Sequence, residues 1–202
     1  MTLKGKKTQK EILNFAISEF AQYGYNGSSI NRICENNGVT KGQLYHHYKS
    51  KDELFLASLS YVYTELYNYH SLSNHFNDDP NQVLQDYLNV RLEYSNQNPV
   101  QMRFFYRCLS LKEPHLMSQV TKIRENLKRF NCELIVHVLS HSKKRSEIPL
   151  EVMVDYVTLV LDAYNLQQDE SLADSENYLE ILTIQSQNLL DMLFYGTLEK
   201  SK

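Results

Sequence analysis

Apolar residues recur at three- and four-residue spacing along almost the whole 202-residue chain, which is the period of an amphipathic helix. Ile12, Ala16 and Phe20, with Leu13 beside them, make one inward stripe over residues 8–23 that stops at Gly24. A second, short helix is capped at Ser28 or Ser29, faces inward through Ile30, Ile33 and Cys34, and ends at Asn37-Gly38. Thr40 then caps a third, on which Leu44 and Tyr48 stand at i and i+4 and leave one narrow inward seam. A helix of about eight residues spans roughly 12 Å and is unstable by itself, so the third needs the first two to hold it. Two short helices joined by a tight glycine turn make a helix-turn-helix.

Downstream, Ser50 caps a fourth helix with Asp52 and Glu53 in its first turn, running through Leu54, Phe55, Leu59, Val62 and Leu66 to about residue 72. A polar loop over 71–80 precedes a helix at 81–94, and Asn98-Pro99 opens another through Phe104, Phe105, Cys108 and Leu109. A long helix from His115 carries Leu116, Val120, Ile123, Leu127, Phe130, Leu134 and Val138 on one side and breaks at 142–149. The last two, 150–166 and 176–195, are apolar over more than one stripe and need a second surface to bury. That surface is either a deeper core or a dimer interface.

With 6 Gly and 4 Pro, composition agrees with an all-α fold. No run of about 18 apolar residues is present, and the first seven residues lack the apolar core of a signal peptide, so a cytoplasmic protein without a membrane partner is expected. Cys34, Cys108 and Cys132 lie far apart with no CxxC pair, which argues for small buried hydrophobes rather than a disulfide framework or zinc site. Residues 1–51 hold Lys4, Lys6, Lys7, Lys10, Arg32, Lys41, Lys49 and Lys51 against Glu11, Glu19 and Glu35, a net +5, which leaves −8 for the remainder. A basic head on an acidic body is the footprint of a protein that meets DNA with one end. The sequence has no nucleophile elbow, carboxylate–histidine metal motif or phosphate-binding glycine loop. No catalytic residue, cofactor or metal is therefore expected.

The order and density of residues over the first quarter of the chain resemble the TetR family of bacterial transcription regulators. The resemblance is carried by Phe20-Ala21-Gln22-Tyr23-Gly24-Tyr25, Ser28-Ser29-Ile30, Ile33, the run Gly38-Val39-Thr40-Lys41-Gly42-Gln43-Leu44-Tyr45-His46-His47-Tyr48-Lys49-Ser50-Lys51, and Glu53-Leu54. The chain departs from the family's usual residues at Cys34 and Asn37, where Ala is common, at Arg32, where an acidic residue is common, and at Tyr48, where Phe is common. The resemblance implies a helix-turn-helix DNA-binding domain over 1–51 and a helical effector-binding and dimerisation domain over 52–202. It also implies a homodimer in which helices near 150–166 and 176–195 of each chain form a four-helix bundle.

The function expected is a ligand-responsive regulator, a repressor that binds a palindromic double-stranded DNA operator as a homodimer and is released by a small-molecule effector of unknown identity. The alternative is an architectural DNA-binding protein of the same fold with no effector. Lys41, Gly42 and Gln43 are the candidates for base edges or nearby phosphates: Gln43 by bidentate pairing with adenine, Lys41 by donating to guanine, Gly42 by letting the backbone come close. Their position in the first turn, where backbone N–H groups favour an anion, supports this, with Thr40 as the cap. Ser29, Tyr45, His46, His47 and Lys51 are expected on phosphates, which fix register without reading sequence. The neighbours His46 and His47 point about 100° apart on a helix, which argues against a metal pair. For the effector, Tyr67, Tyr87, Phe104, Phe105 and Cys108 are the candidate lining, suited to an apolar or aromatic molecule.

Overall fold

In a computed structural model of the chain, residues 3–35, 37–73, 76–143 and 147–166 are described, together with 185, 188, 189, 192 and 193. Among the described residues the order is α1 (Leu3–Gly27), α2 (Ile30–Glu35), α3 (Lys41–His47), α4 (Lys51–Ser73), α5 (Pro80–Gln97), α6 (Pro99–Leu109), α7 (Met117–His141) and α8 (Leu150–Leu166). No strand occurs among them, as the helical periodicity requires. The chain divides into two compact units, Met1–Glu65 with Asn98–Arg124, and Leu66–Gln97 with Glu125–Lys202.

The first unit takes in more than the expected head of residues 1–51. It also holds the first part of α4, all of α6 and the start of α7. The reason is aromatic packing. Phe20 of α1 meets Phe55 of α4 edge-on at 5.0 Å and stacks on Phe104 of α6 at 6.0 Å, and Phe55 and Phe104 meet edge-on at 5.6 Å. All three rings are buried, so three helices share one apolar centre.

Local chemistry sets the turns. Gly24, at φ 68° and ψ −179°, breaks the helical path of α1 where the apolar stripe ends. Asp79 accepts from the backbone N–H of Asn81 (3.0 Å), so α5 begins at Pro80, one residue earlier than the pattern predicts. Ser50 accepts from the N–H of Glu53 (3.1 Å), and the Glu53 carboxylate reaches back to the N–H of Lys49 (2.6 Å), which fixes the entry to α4.

The second unit is built on Val83 of α5, Phe130, Leu134, Ile135, Val138 and Leu139 of α7, Met153, Val154 and Val157 of α8, and Leu193. α8 is apolar beyond this face: Val152, Tyr156 and Leu159, at i, i+4 and i+7, are 54%, 53% and 67% exposed. The helix expected over 176–195 lies outside the described residues except at a few positions, among which Leu193 is buried and Met192 exposed.

Gly38 joins α2 to α3 at φ 65°, in the left-handed region, and an added Cβ would meet nothing within 4 Å. The requirement for glycine there is one of backbone conformation, not of space. Gly38→Ala is expected to lower stability by about 1 kcal/mol, read as an earlier midpoint in urea with an unchanged slope; an unchanged midpoint would show that the turn tolerates a side chain.

Candidate nucleic-acid interface

The third helix is held at both ends and along one side. Thr40, extended at φ −76° and ψ 150°, accepts at its hydroxyl from the N–H of Gln43 (3.2 Å), while the Gln43 side-chain oxygen accepts from the N–H of Thr40 (2.8 Å). This is a capping box. At the other end Lys49 donates its ammonium to the carbonyls of Tyr45 and His46, both at 3.3 Å. Leu44 is fully buried and Tyr48 nearly so, and the Tyr48 hydroxyl hydrogen-bonds Gln9 of α1. The departure from Phe at this position thus adds a polar tie to a core contact.

The remaining surface of α3 is open. Lys41, Gly42, Gln43, Tyr45 and His46 are exposed, and His47 is half-buried with its ring 5.2 Å from that of His46. Among the described residues no group of three or more His, Cys, Asp or Glu side chains could hold a metal. Gln43 differs from expectation in one respect: its oxygen lies on Thr40, and bidentate pairing with adenine needs that oxygen.

Two residues expected on phosphates, Lys51 by its side chain and Ser29 by its backbone, make bonds within the protein. Lys51 is half-buried, donates to the Ser28 carbonyl at 2.9 Å and lies 4.8 Å over the Tyr25 ring; burial lowers its pKa. The backbone N–H of Ser29 donates to the Glu19 carboxylate at 2.8 Å. Ser28 and Ser29 do not cap α2 with their hydroxyls as expected. Ser28 donates back to the Tyr25 carbonyl, and Glu19, buried in α1, supplies the acceptor instead.

Arg32, a departure from the family's usual acid, has Glu19 as its partner, a pairing the sequence alone does not reveal. The Arg32 guanidinium forms an ion pair with Glu19 at 2.6 Å, donates to the Gly27 carbonyl at 2.6 Å, and sits 4.1 Å over the Tyr23 ring. The hydrogen bond to Glu19 is the main cause of its raised pKa. An acid one residue before Phe20, beside an inward stripe, and a base where the family commonly has an acid were together the available signal. Asn37 has a similar role, donating its side-chain amide to the Ile33 carbonyl at the end of α2 (2.9 Å).

The five effector candidates fall in both units. Phe104, Phe105 and Cys108 belong to the first, where Phe104 is part of the triple-ring centre, Phe105 meets Tyr63 at 5.0 Å, and Cys108 is buried with its thiol pKa pushed up by burial. Their packing is that of core residues. Tyr67 and Tyr87 belong to the second unit and are half-buried. Tyr87 stacks on the buried His70 at 4.8 Å, donates to the Asn131 side chain at 3.2 Å, and accepts from Arg91 at 3.3 Å. Tyr67 meets Phe130 edge-on at 6.1 Å.

Burial, followed by the charge of Arg91, lowers the His70 pKa from 6.5 to about 3. The folded protein therefore binds this proton more weakly than the unfolded chain, so the stability linked to it is complete above pH 6.5 and declines as pH falls toward 3. Between pH 7 and 5 the loss should be on the order of 2 kcal/mol in denaturant titrations, and His70→Phe should flatten that acid limb; an equally steep limb in the variant would assign it to other groups. At Gly42 an added Cβ would meet only the Thr40 hydroxyl oxygen, at 3.9 Å. Gly42→Ala should then raise stability by up to about 1 kcal/mol yet weaken DNA binding in an anisotropy titration, whereas undiminished binding would mean that no close backbone approach is needed there.

Comparison with known proteins agrees with this geometry. A family model described as "Bacterial regulatory proteins, tetR family" matches residues 12–58, which run from the inward stripe of α1 into α4. The HTH-type transcriptional repressor AcnR of Corynebacterium glutamicum is 25% identical over 190 residues, covering 90% of this chain and 92% of its own length. The probable acrEF/envCD operon repressor of Escherichia coli K12 is 29% identical over 161 residues, covering 77% and 71%. In fold, FadR of Bacillus subtilis, solved in complex with stearoyl-CoA, superposes with a TM-score of 0.73 at 13% identity, covering 93% of this chain and 98% of that one. Residues 12–58 thus carry a helix-turn-helix with an exposed third helix that matches the TetR family of bacterial regulatory proteins, and over most of its length the chain is similar to transcriptional repressors.

Proposed function

We propose that the protein is a cytoplasmic homodimeric repressor that grips a palindromic operator and lets go of it when a small molecule binds its second unit. The observation that carries the reading is α3: a helix fixed by its buried Leu44 and its caps, with Lys41, Gly42, Gln43, Tyr45 and His46 left exposed on the remaining surface. The similarity to AcnR and to the probable acrEF/envCD operon repressor supports the sign of regulation.

A single short helix reads too few base pairs to select an operator, and a two-fold pair of them doubles the site. The exposed stripe Val152, Tyr156 and Leu159 on α8 supports pairing through that helix, together with the segment 176–195. In such a dimer the two copies of α3 enter successive major grooves when they stand roughly 34–36 Å apart.

The polar and aromatic group of His70, Tyr87, Arg91 and Asn131 with Tyr67 and Phe130 supports an effector site in the second unit. That FadR, of similar fold, holds stearoyl-CoA supports a small-molecule effector in general. α4 has residues in both units and offers a continuous covalent route for the response. A coupling of about 1–3 kcal/mol would lower operator affinity 5- to 150-fold.

Anisotropy titration against DNA from the protein's own promoter region tests the reading. Binding should prefer sequence and fall steeply with salt. Leu159→Glu should yield monomer and lose roughly 100-fold on the full palindrome while keeping half-site affinity. Sequence-indifferent binding, or a monomer that binds the palindrome as well as the unaltered protein does, would sink the proposal. A thermal-shift screen separates a ligand-released repressor from an architectural protein, because only the former gains stability with ligand occupancy.

A further inference from the structure

Gln43 is exposed on α3, but its two polar atoms are not equally available. The side-chain oxygen accepts from the backbone N–H of Thr40 at 2.8 Å and from the Thr40 hydroxyl at 3.0 Å, so both of its lone pairs are occupied. The orientation of the amide is not arbitrary. A backbone N–H can only donate, so the atom facing it must be the oxygen; the reversed amide would set donor against donor. What Gln43 can offer to a base is its NH2 group alone.

We infer that Gln43, held in its capping box, is a specificity residue that reads guanine by donation, not adenine by bidentate pairing. The inference rests on α3 being the helix that enters the major groove. Adenine recognition by glutamine requires the side-chain oxygen to accept from the adenine amino group while the nitrogen donates to N7. That pairing would take the oxygen from the Thr40 N–H and open one half of the capping box on a helix of seven residues, leaving only the Gln43 N–H on the Thr40 hydroxyl. Guanine presents two adjacent acceptors, N7 and O6, and an NH2 with two hydrogens satisfies them without disturbing the cap. Thymine offers one acceptor, O4; adenine offers one, N7, but sets its own amino group beside it against the Gln43 amino group, and cytosine offers an amino group and no acceptor. The neighbouring Lys41 side chain is also a donor without an acceptor, so the first turn of α3 favours acceptor-bearing base edges as a set.

The test is selection of operators from a pool of randomised duplexes by the full-length protein, repeated with Gln43→Ala and Gln43→Glu. The position whose preference disappears in Gln43→Ala is the one Gln43 reads. Guanine is expected there for the unaltered protein. Glutamate keeps an acceptor oxygen for the Thr40 N–H and lacks the donor, so Gln43→Glu should keep the thermal midpoint and lose the guanine preference by about tenfold or more. Adenine at that position overturns the inference, as does a guanine preference that survives in Gln43→Glu. If Gln43→Ala leaves every position unchanged, Gln43 reads no base and the inference falls while the regulator reading stands. If no sequence is enriched by any of the proteins, the operator-binding reading falls and takes this inference with it.

Discussion

The rest of the structure depends on the fact that α3 is too short to exist unaided. Seven residues form barely two turns, and nucleation costs more than so few hydrogen bonds return. The helix stands because Leu44 is buried beneath it, Thr40 and Gln43 cap one end, and Lys49 caps the other. The polar side chains enlisted for that purpose have donors or acceptors already engaged within the protein. Lys41, Gly42, Tyr45 and His46 remain on the open surface, and Lys49 and Lys51 direct their ammonium groups at backbone carbonyls. In the proposed regulator, stability and recognition draw on the same few groups.

The same constraint explains why the first unit extends past the helix-turn-helix. Three short or medium helices cannot enclose much apolar volume, and the ring cluster of Phe20, Phe55 and Phe104 recruits α4 and α6 to complete it. Polar contacts follow the same path. Arg107 of α6 donates to the Gln22 carbonyl, Asn26 donates to Glu113, and the Tyr25 hydroxyl donates to Asp52; burial, then this bond, pushes the phenol up to about 12.

Three of the four residues that depart from the family's usual choices have a local polar partner, and the fourth, Cys34, is buried. Arg32 pairs with the buried Glu19, which in turn takes the backbone N–H at the start of α2. Asn37 closes the end of α2, and Tyr48 adds a hydroxyl contact to Gln9. A buried carboxylate without a cation or N–H partner would be costly, so Glu19 and Arg32 stand as a pair.

Much was legible in the chain itself. Helical periodicity placed most described helices within a residue or two, with α1 and the end of α5 running three to five residues further; Gly24 and Gly38 marked the breaks, Thr40 the cap, and Leu44 and Tyr48 the seam, because these features depend on neighbours only a few positions away. The outward set on α3 followed by subtraction. Tertiary structure decided what spacing cannot express. It turned Lys51 toward Ser28, gave Glu19 to Ser29 and Arg32, and placed Phe104 in the core of the first unit, while Tyr67 and Tyr87 belong to the second. Those outcomes depend on which side chains arrive from distant helices, and hydrophobic period carries no record of that. Gln43 lies between the two cases: its spacing from Thr40 is local, but only the folded helix sets its oxygen on the Thr40 N–H and so decides which of its polar atoms is engaged.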